Sequence, residues 1–229
     1  MKILILLFSL FINNNINAQD VNALIAKIKQ KVSMVNDYEA SGRMKTNVIF
    51  LKVPVARVKI YFKKPNKLRI RNEKGISFIP KGAVTINMSN ILTGDSFSAI
   101  DGGIVKVNNS NLRIVKLIPQ DENSDVVIST LYIDETNALV RKAKTTTKDN
   151  GTYELDMTYG KYAQYALPDK VIFTFNTKDY KMPKGVTFDF DDGSAQKKAE
   201  LNMKNHKGKV EIDYSEYKIN EGVQDAVFK

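Results

Sequence analysis

Ala56-Arg57-Val58-Lys59-Ile60-Tyr61-Phe62-Lys63-Lys64-Pro65-Asn66-Lys67-Leu68-Arg69-Ile70-Arg71 reads as two strands that meet at a basic-proline corner. Ala56, Val58, Ile60 and Phe62 alternate with Arg57, Lys59, Tyr61 and Lys63. Beyond Pro65 the same parity sets Leu68 and Ile70 against Lys67, Arg69 and Arg71. Successive side chains of a strand leave on opposite faces, so the pattern predicts a sheet with one apolar and one strongly basic face. A strand covered on both sides would lose its polar set, which makes these strands half-buried and antiparallel.

The period of two continues along the chain. Tyr153, Leu155, Met157 and Tyr159 alternate with Thr152, Glu154, Asp156 and Thr158, and Val210, Ile212 and Tyr214 with Lys209, Glu211 and Asp213. Turn signals separate the runs at Asp101-Gly102-Gly103, Glu135-Thr136-Asn137, Asp149-Asn150-Gly151 and His206-Lys207-Gly208. Asn150-Gly151 is the strongest, because a tight hairpin needs positive φ at both central positions. The strands should therefore follow one another mainly as hairpins.

Residues 20–36 break the rule: Val21, Leu24, Ile25, Ile28, Val32 and Val35 recur every three or four positions, which predicts an amphipathic helix with Asp20 as N-cap. Residues 75–94 fit a short strand plus a helix or an apolar loop, and residues 180–198 a long surface loop. One helix followed by about ten strands predicts a mainly β fold with some α: a strongly curved open antiparallel sheet, a half-barrel, covered by the N-terminal helix and short helices or loops. A β-sandwich produces the same alternation and is the competing architecture.

Met1-Lys2, an apolar run over residues 3–12 broken only by Ser9, and Ile16-Asn17-Ala18 before Gln19 have the layout of a secretory signal peptide spanning residues 1–18. The apolar run is about half the ~20 residues of a membrane span. Residues 19–229 are then expected as one soluble domain outside the cytoplasm. A lipid-bearing signal needs a cysteine at the cleavage point, and the chain has none. Stability must come from burial and hydrogen bonding alone.

A 43% hydrophobic content, six prolines and no tryptophan describe a globular chain. The formal net charge of +10 suits nucleic acid, an anionic membrane or an acidic partner, or simply solubility. Export and the spread of the lysines along many segments argue against nucleic acid.

Catalytic constellations are sparse. His206 is the single histidine, which excludes Cys-His catalysis and multi-histidine metal sites, and no Gly-x-Ser-x-Gly elbow occurs. Asp189, Asp191, Asp192 and Gly193 resemble the opening of a calcium loop, with Glu200 twelfth from Asp189, but the glycine is fifth where such a loop wants it sixth. A solvated acidic loop is the plainer reading. No acidic pair commends itself for hydrolysis, so no catalytic residue, metal ligand or cofactor is assigned, and the chain is not expected to be an enzyme.

The Tyr61-to-Ile70 corner resembles the LolA/LolB family of periplasmic lipoprotein carriers, where an aromatic-basic-basic-proline corner joins two strands. Leu131-Tyr132-Ile133-Asp134-Glu135-Thr136-Asn137-Ala138-Leu139-Val140 is similar to that family's aspartate hairpin, and Leu167-Pro168-Asp169-Lys170-Val171 to its leucine-proline entry into a late strand. The similarity spans residues 21–175; the loop at 185–198 has no counterpart.

The resemblance implies a curved sheet whose apolar concave face holds the acyl chains of lipoproteins on their way from the inner to the outer membrane. It implies an inner-membrane ABC transporter as donor, an outer-membrane acceptor, and a soluble periplasmic monomer. Val58, Ile60, Phe62, Leu68 and Ile70 become the acyl cavity and its mouth, with plain core packing as the competing reading. Lys64 takes the place of the basic residue that holds the lid, although the family often has arginine there and lysine lacks its directional fork. A lipid or lipoprotein sensor of the same fold, controlling an envelope stress response, and a secreted hydrolase are the alternatives.

Overall fold

The computed structural model describes residues 20–48, 51–52, 55–73, 96–149, 151–176 and 207–229. The signal segment, residues 75–94, His206 and the acidic loop lie outside the described residues.

Asp20 starts helix α1 (Val21–Ser33) by accepting a hydrogen bond from the Asn22 amide at 2.9 Å, and Leu24, Ile25 and Ile28 form its buried stripe. Burial of each stabilises by about 1.5–3 kcal/mol, which is what fixes a helix this short. The helix stops before the expected Asn36. There the backbone turns to tertiary partners instead: the Lys64 amide donates to the Asn36 carbonyl at 2.9 Å, and the Asn36 amide to Asn220 Oδ1 at 2.7 Å.

The strands are β1 (Asp37–Val48), β2 (Leu51–Lys52), β3 (Ala56–Lys63), β4 (Lys67–Asn72), β5 (Phe97–Val107), β6 (Ser110–Pro119), β7 (Val126–Asp134), β8 (Leu139–Thr147), β9 (Gly151–Thr158), β10 (Lys170–Asn176) and β11 (Lys207–Ile219). They form one open antiparallel sheet in the order β4-β3-β1-β11-β10-β9-β8-β7-β6-β5, with β2 beside β1. Two hairpin series, β1-β3-β4 and β5 through β11, are joined where β1 pairs with β11. A single sheet removes the sandwich and gives the expected half-barrel.

Register keeps one apolar face across the series. Ile60 pairs with Ala40 and Ile70, Met44 with Ile212, Val171 with Met157, Phe173 with Leu155 and Val210, and Leu131 with Val115 and Ala143. The opposite face carries cross-strand ion pairs, among them Lys59–Glu39 at 2.7 Å, Lys142–Glu154 at 2.7 Å and Lys170–Glu211 at 2.6 Å. The basic stripe of β3–β4 is also engaged from within. Lys63 and Lys67 pair with Asp225 at 3.1 and 2.9 Å, while Arg69 and Arg71 donate to the Lys229 and Val227 carbonyls.

Two expected turns are strand. Asp101-Gly102-Gly103 is a bulge inside β5, with Gly103 at φ 80° and its amide on Asp101 Oδ1 at 2.8 Å; the β5–β6 turn falls at Asn108 and Asn109, both at positive φ. Lys207 and Gly208 already belong to β11, where Gly208 pairs with Phe175. A Cβ on Gly208 would come within 2.4 Å of that ring, so glycine serves packing there and not a turn.

Two predictions follow from the sheet. A Cβ at Gly42 would lie 2.6 Å from the Asp213 carbonyl oxygen, backbone that cannot step aside without parting β1 from β11. Gly42→Ala should lower unfolding free energy by about 1–3 kcal/mol in urea denaturation. Glu154 is held below the ordinary carboxylate range chiefly by its hydrogen bond from Lys142. A depressed folded value gives stability that is complete above the unfolded value of about 4.3 and lost as pH falls through the folded one. The melting temperature should therefore drop from about pH 5 to 3, with Glu154→Gln costing about 0.2–1 kcal/mol at neutral pH and flattening that drop.

Candidate functional site: an apolar cavity beneath the helix

Ile70 on β4 and Leu155 on β9 stand five strand spacings apart in sheet order, about 24 Å on a flat sheet. Both nevertheless line one cavity, of about 130 Å³. Strong curvature brings them together. One wall is Ile60, Phe62, Leu68 and Ile70; the facing side is Leu155, Met157, Val171, Phe173, Val210 and Ile212. Val32 in the last turn of α1, Val35 just beyond it and residues 165–168 complete it. Every described lining residue is uncharged.

Tyrosines occupy one part of this lining. Between Ser41 and Gly42 the register slips, leaving Ser215 without a partner on β1, and Ser215 Oγ donates to the Ser41 carbonyl at 3.0 Å. The extra residue changes parity, so Tyr214 and Tyr217, three apart, both reach the apolar face. Their rings stack at 5.0 Å; Tyr38 meets Tyr217 at 5.3 Å and Phe62 at 5.3 Å, and Tyr162 meets Tyr217 at 4.9 Å. Tyr217 donates from its hydroxyl to the Pro168 carbonyl at 2.7 Å. Burial pushes the phenols of Tyr38, Tyr214 and Tyr217 up, so all three are neutral donors at physiological pH.

Lys64 sits at the corner between β3 and β4. Its Nζ donates to the Ser33 carbonyl at 2.7 Å and to Asn36 Oδ1 at 3.2 Å. That carbonyl belongs to the unsatisfied last turn of α1, where a cation also meets the negative end of the helix dipole. Asn220 Nδ2 donates to the neighbouring Met34 carbonyl at 2.8 Å, and further along Lys31 Nζ reaches the Asn137 carbonyl at 2.6 Å. Lys29 lies 4.5 Å over the Phe97 ring of β5. The helix is thus tied at both sides of the sheet.

Of the five apolar residues singled out in the sequence, Ile60, Phe62, Leu68 and Ile70 line the cavity together. Val58 does not; it is buried opposite Gly42 and Asn72 as ordinary core. Sequence reasoning missed the β9–β11 side, although the parity of Leu155, Met157, Val210 and Ile212 marks them as inward. It also missed Tyr38, which shares the inward parity of Ala40 and Met44, and Tyr217, whose alternation is disturbed by the bulge.

A second hollow, about 310 Å³, lies along the C-terminal segment on the other face and is bordered by Asp37, Glu39, Lys218 and Glu221, which suits no apolar ligand. Among the described residues no group of three or more His, Cys, Asp or Glu side chains is placed to hold a metal ion, and no helix is long and apolar enough to cross a membrane.

No protein-family model and no curated protein matches the sequence. Solved structures do match. A putative outer membrane lipoprotein-sorting protein domain from Vibrio parahaemolyticus aligns at TM-score 0.56 and 9% identity, over 90% of this chain and 94% of that one. A LolA superfamily protein from Nitrosomonas europaea aligns at TM-score 0.54 and 10% identity, over 90% and 97%. A DUF1329 family protein from Desulfovibrio piger aligns at TM-score 0.54 and 14% identity, over 90% and 95%. The likeness to these structures is accordingly one of fold, shared over nine-tenths of the chain with structures that include a LolA superfamily protein.

Proposed function

We propose that the protein is a periplasmic carrier that holds the acyl chains of lipoproteins in the cavity under α1 and moves them from the inner to the outer membrane. The observation that carries this reading is the cavity itself: free of charge among the described residues, walled by β3–β4 and β9–β11, and capped by the end of an amphipathic helix. Each buried methylene contributes about 0.8 kcal/mol, so such a lining keeps an acyl chain out of water without any directional contact. A non-directional grip suits cargo that must be released. Removal of residues 1–18 would free the chain in the periplasm, and an inner-membrane ABC transporter and an outer-membrane acceptor are the partners this role requires.

The cavity of about 130 Å³ is smaller than the roughly 300–1,000 Å³ of ordinary ligand sites. Whole acyl chains need it to widen. Helix α1 is the element suited to move, since its buried stripe is only Leu24, Ile25 and Ile28 and polar contacts at its surface fasten the rest. Lys64 is then the latch, and Leu68 and Ile70, half-buried on the edge strand β4, form the mouth. The role makes and breaks no covalent bond.

Protein recovered from its native envelope without detergent should carry acylated lipoprotein visible by intact mass spectrometry. Ligand-free protein from cells with active lipoprotein export would refute the carrier role. Leu68→Glu places a charge at the mouth and should abolish that co-purification while the circular dichroism spectrum stays native. Lys64→Met should cost about 0.3–1 kcal/mol in stability and raise amide exchange around Ser33 to Asn36. Unchanged exchange there would remove the latch.

A further inference from the structure

Tyr38 and Tyr214 are polar where their surroundings are not. Both line the cavity, and neither hydroxyl has a hydrogen-bond partner among the described residues, unlike Tyr217, which is committed to the Pro168 carbonyl. Thr46 Oγ1 is the one fully enclosed side-chain polar atom without a partner among the described residues, so the two phenol oxygens open onto free space. Both rings pack against Tyr217, at 5.3 and 5.0 Å, which places them in one neighbourhood. Among the described residues no lysine, arginine or histidine lines the cavity to offset a negative charge.

A donor that opens into an apolar space wants a neutral acceptor. An ester carbonyl accepts from a phenol and loses little on leaving water, whereas an ionised carboxylate gives up its hydration and finds no cation. We propose that the Tyr38 and Tyr214 hydroxyls form a polar subsite that receives the ester carbonyls of a neutral, ester-linked diacyl ligand and discriminates against free fatty acids. The subsite rests on the acyl-binding reading and adds to it a selectivity that a bare greasy wall lacks. The bulge at Ser215 supports it, because that extra residue turns Tyr217 onto the face that already carries Tyr38 and Tyr214. Tyr217, stacked on Tyr214 and edge-on to Tyr38, then holds both rings in place.

The test is displacement of a neutral solvatochromic dye from the purified, delipidated protein by three ligands at about pH 7.5, where a fatty acid is ionised. These are dioctanoylglycerol, its dialkyl ether analogue without carbonyls, and octanoate. The diester should bind about tenfold more tightly than the diether, with octanoate weakest. Tyr38→Phe combined with Tyr214→Phe keeps every ring contact and should bring the diester down to the diether, leaving the diether unchanged. Equal affinity of diester and diether in the unmodified protein, or octanoate binding as tightly as the diester, would overturn the subsite while acyl binding stands. Displacement by none of the three would overturn acyl binding and the subsite with it. The comparison within the unmodified protein decides the matter even should the double variant fail to fold.

Discussion

Pairing of β1 with β11 is the constraint on which the rest of the molecule depends. Tyr38 through Asn47 lie against Ile219 through Lys209, joining the beginning of the described chain to its end. Until that seam forms, β3–β4 and β5 through β10 are separate hairpin series, and each owns only one wall of the cavity. The seam is reinforced by local bonds that cross it. The Asn220 amide donates to the Asp37 carbonyl at 2.9 Å, and Ser215 Oγ to the Ser41 carbonyl at 3.0 Å. Contacts so distant in sequence must overcome a large loop-closure entropy before they stabilise anything, so folding should be slow relative to a helical protein of this size.

The same seam carries the one irregularity that gives the cavity chemistry. A perfectly alternating β11 would line the inside with one residue in two and nothing more. The slip beside Ser215 gathers aromatic rings instead, and aromatic side chains bring both apolar area and a polar tip. Around them the described lining is apolar, so among the described residues the phenol oxygens dominate whatever directionality the space has. Apolar area and polar directionality are thus divided between different residues of one cavity.

The alternation of β3, β4, β9 and β11 was plain in the sequence because burial on one face and water on the other dictate it residue by residue. Helix α1 was equally plain, since its apolar stripe and its Asp20 cap are local signals. Strand order was not legible: nothing in β1 names β11 as its partner, as pairing is a backbone interaction between segments distant in sequence. Glycines misled for a related reason. Gly102-Gly103 and Gly208 read as turns, but one pair re-aims an edge strand and the other glycine yields room to Phe175, and both demands come from neighbouring strands. The cavity was half legible. Ile60, Phe62, Leu68 and Ile70 share a strand pair whose corner is conspicuous, whereas the opposing wall became visible only once curvature brought β9 over β4.

An open sheet has two ends, and among the described residues β5 is one of them, eleven residues long with Ile100 and Ile104 exposed. Such an edge is a template on which another molecule could add a strand, and then another. The bulge between Asp101 and Ile104 interrupts that template in its middle, displacing the regular spacing of free amides and carbonyls. A chain that lacks disulfides thus avoids offering a straight ribbon for polymerisation.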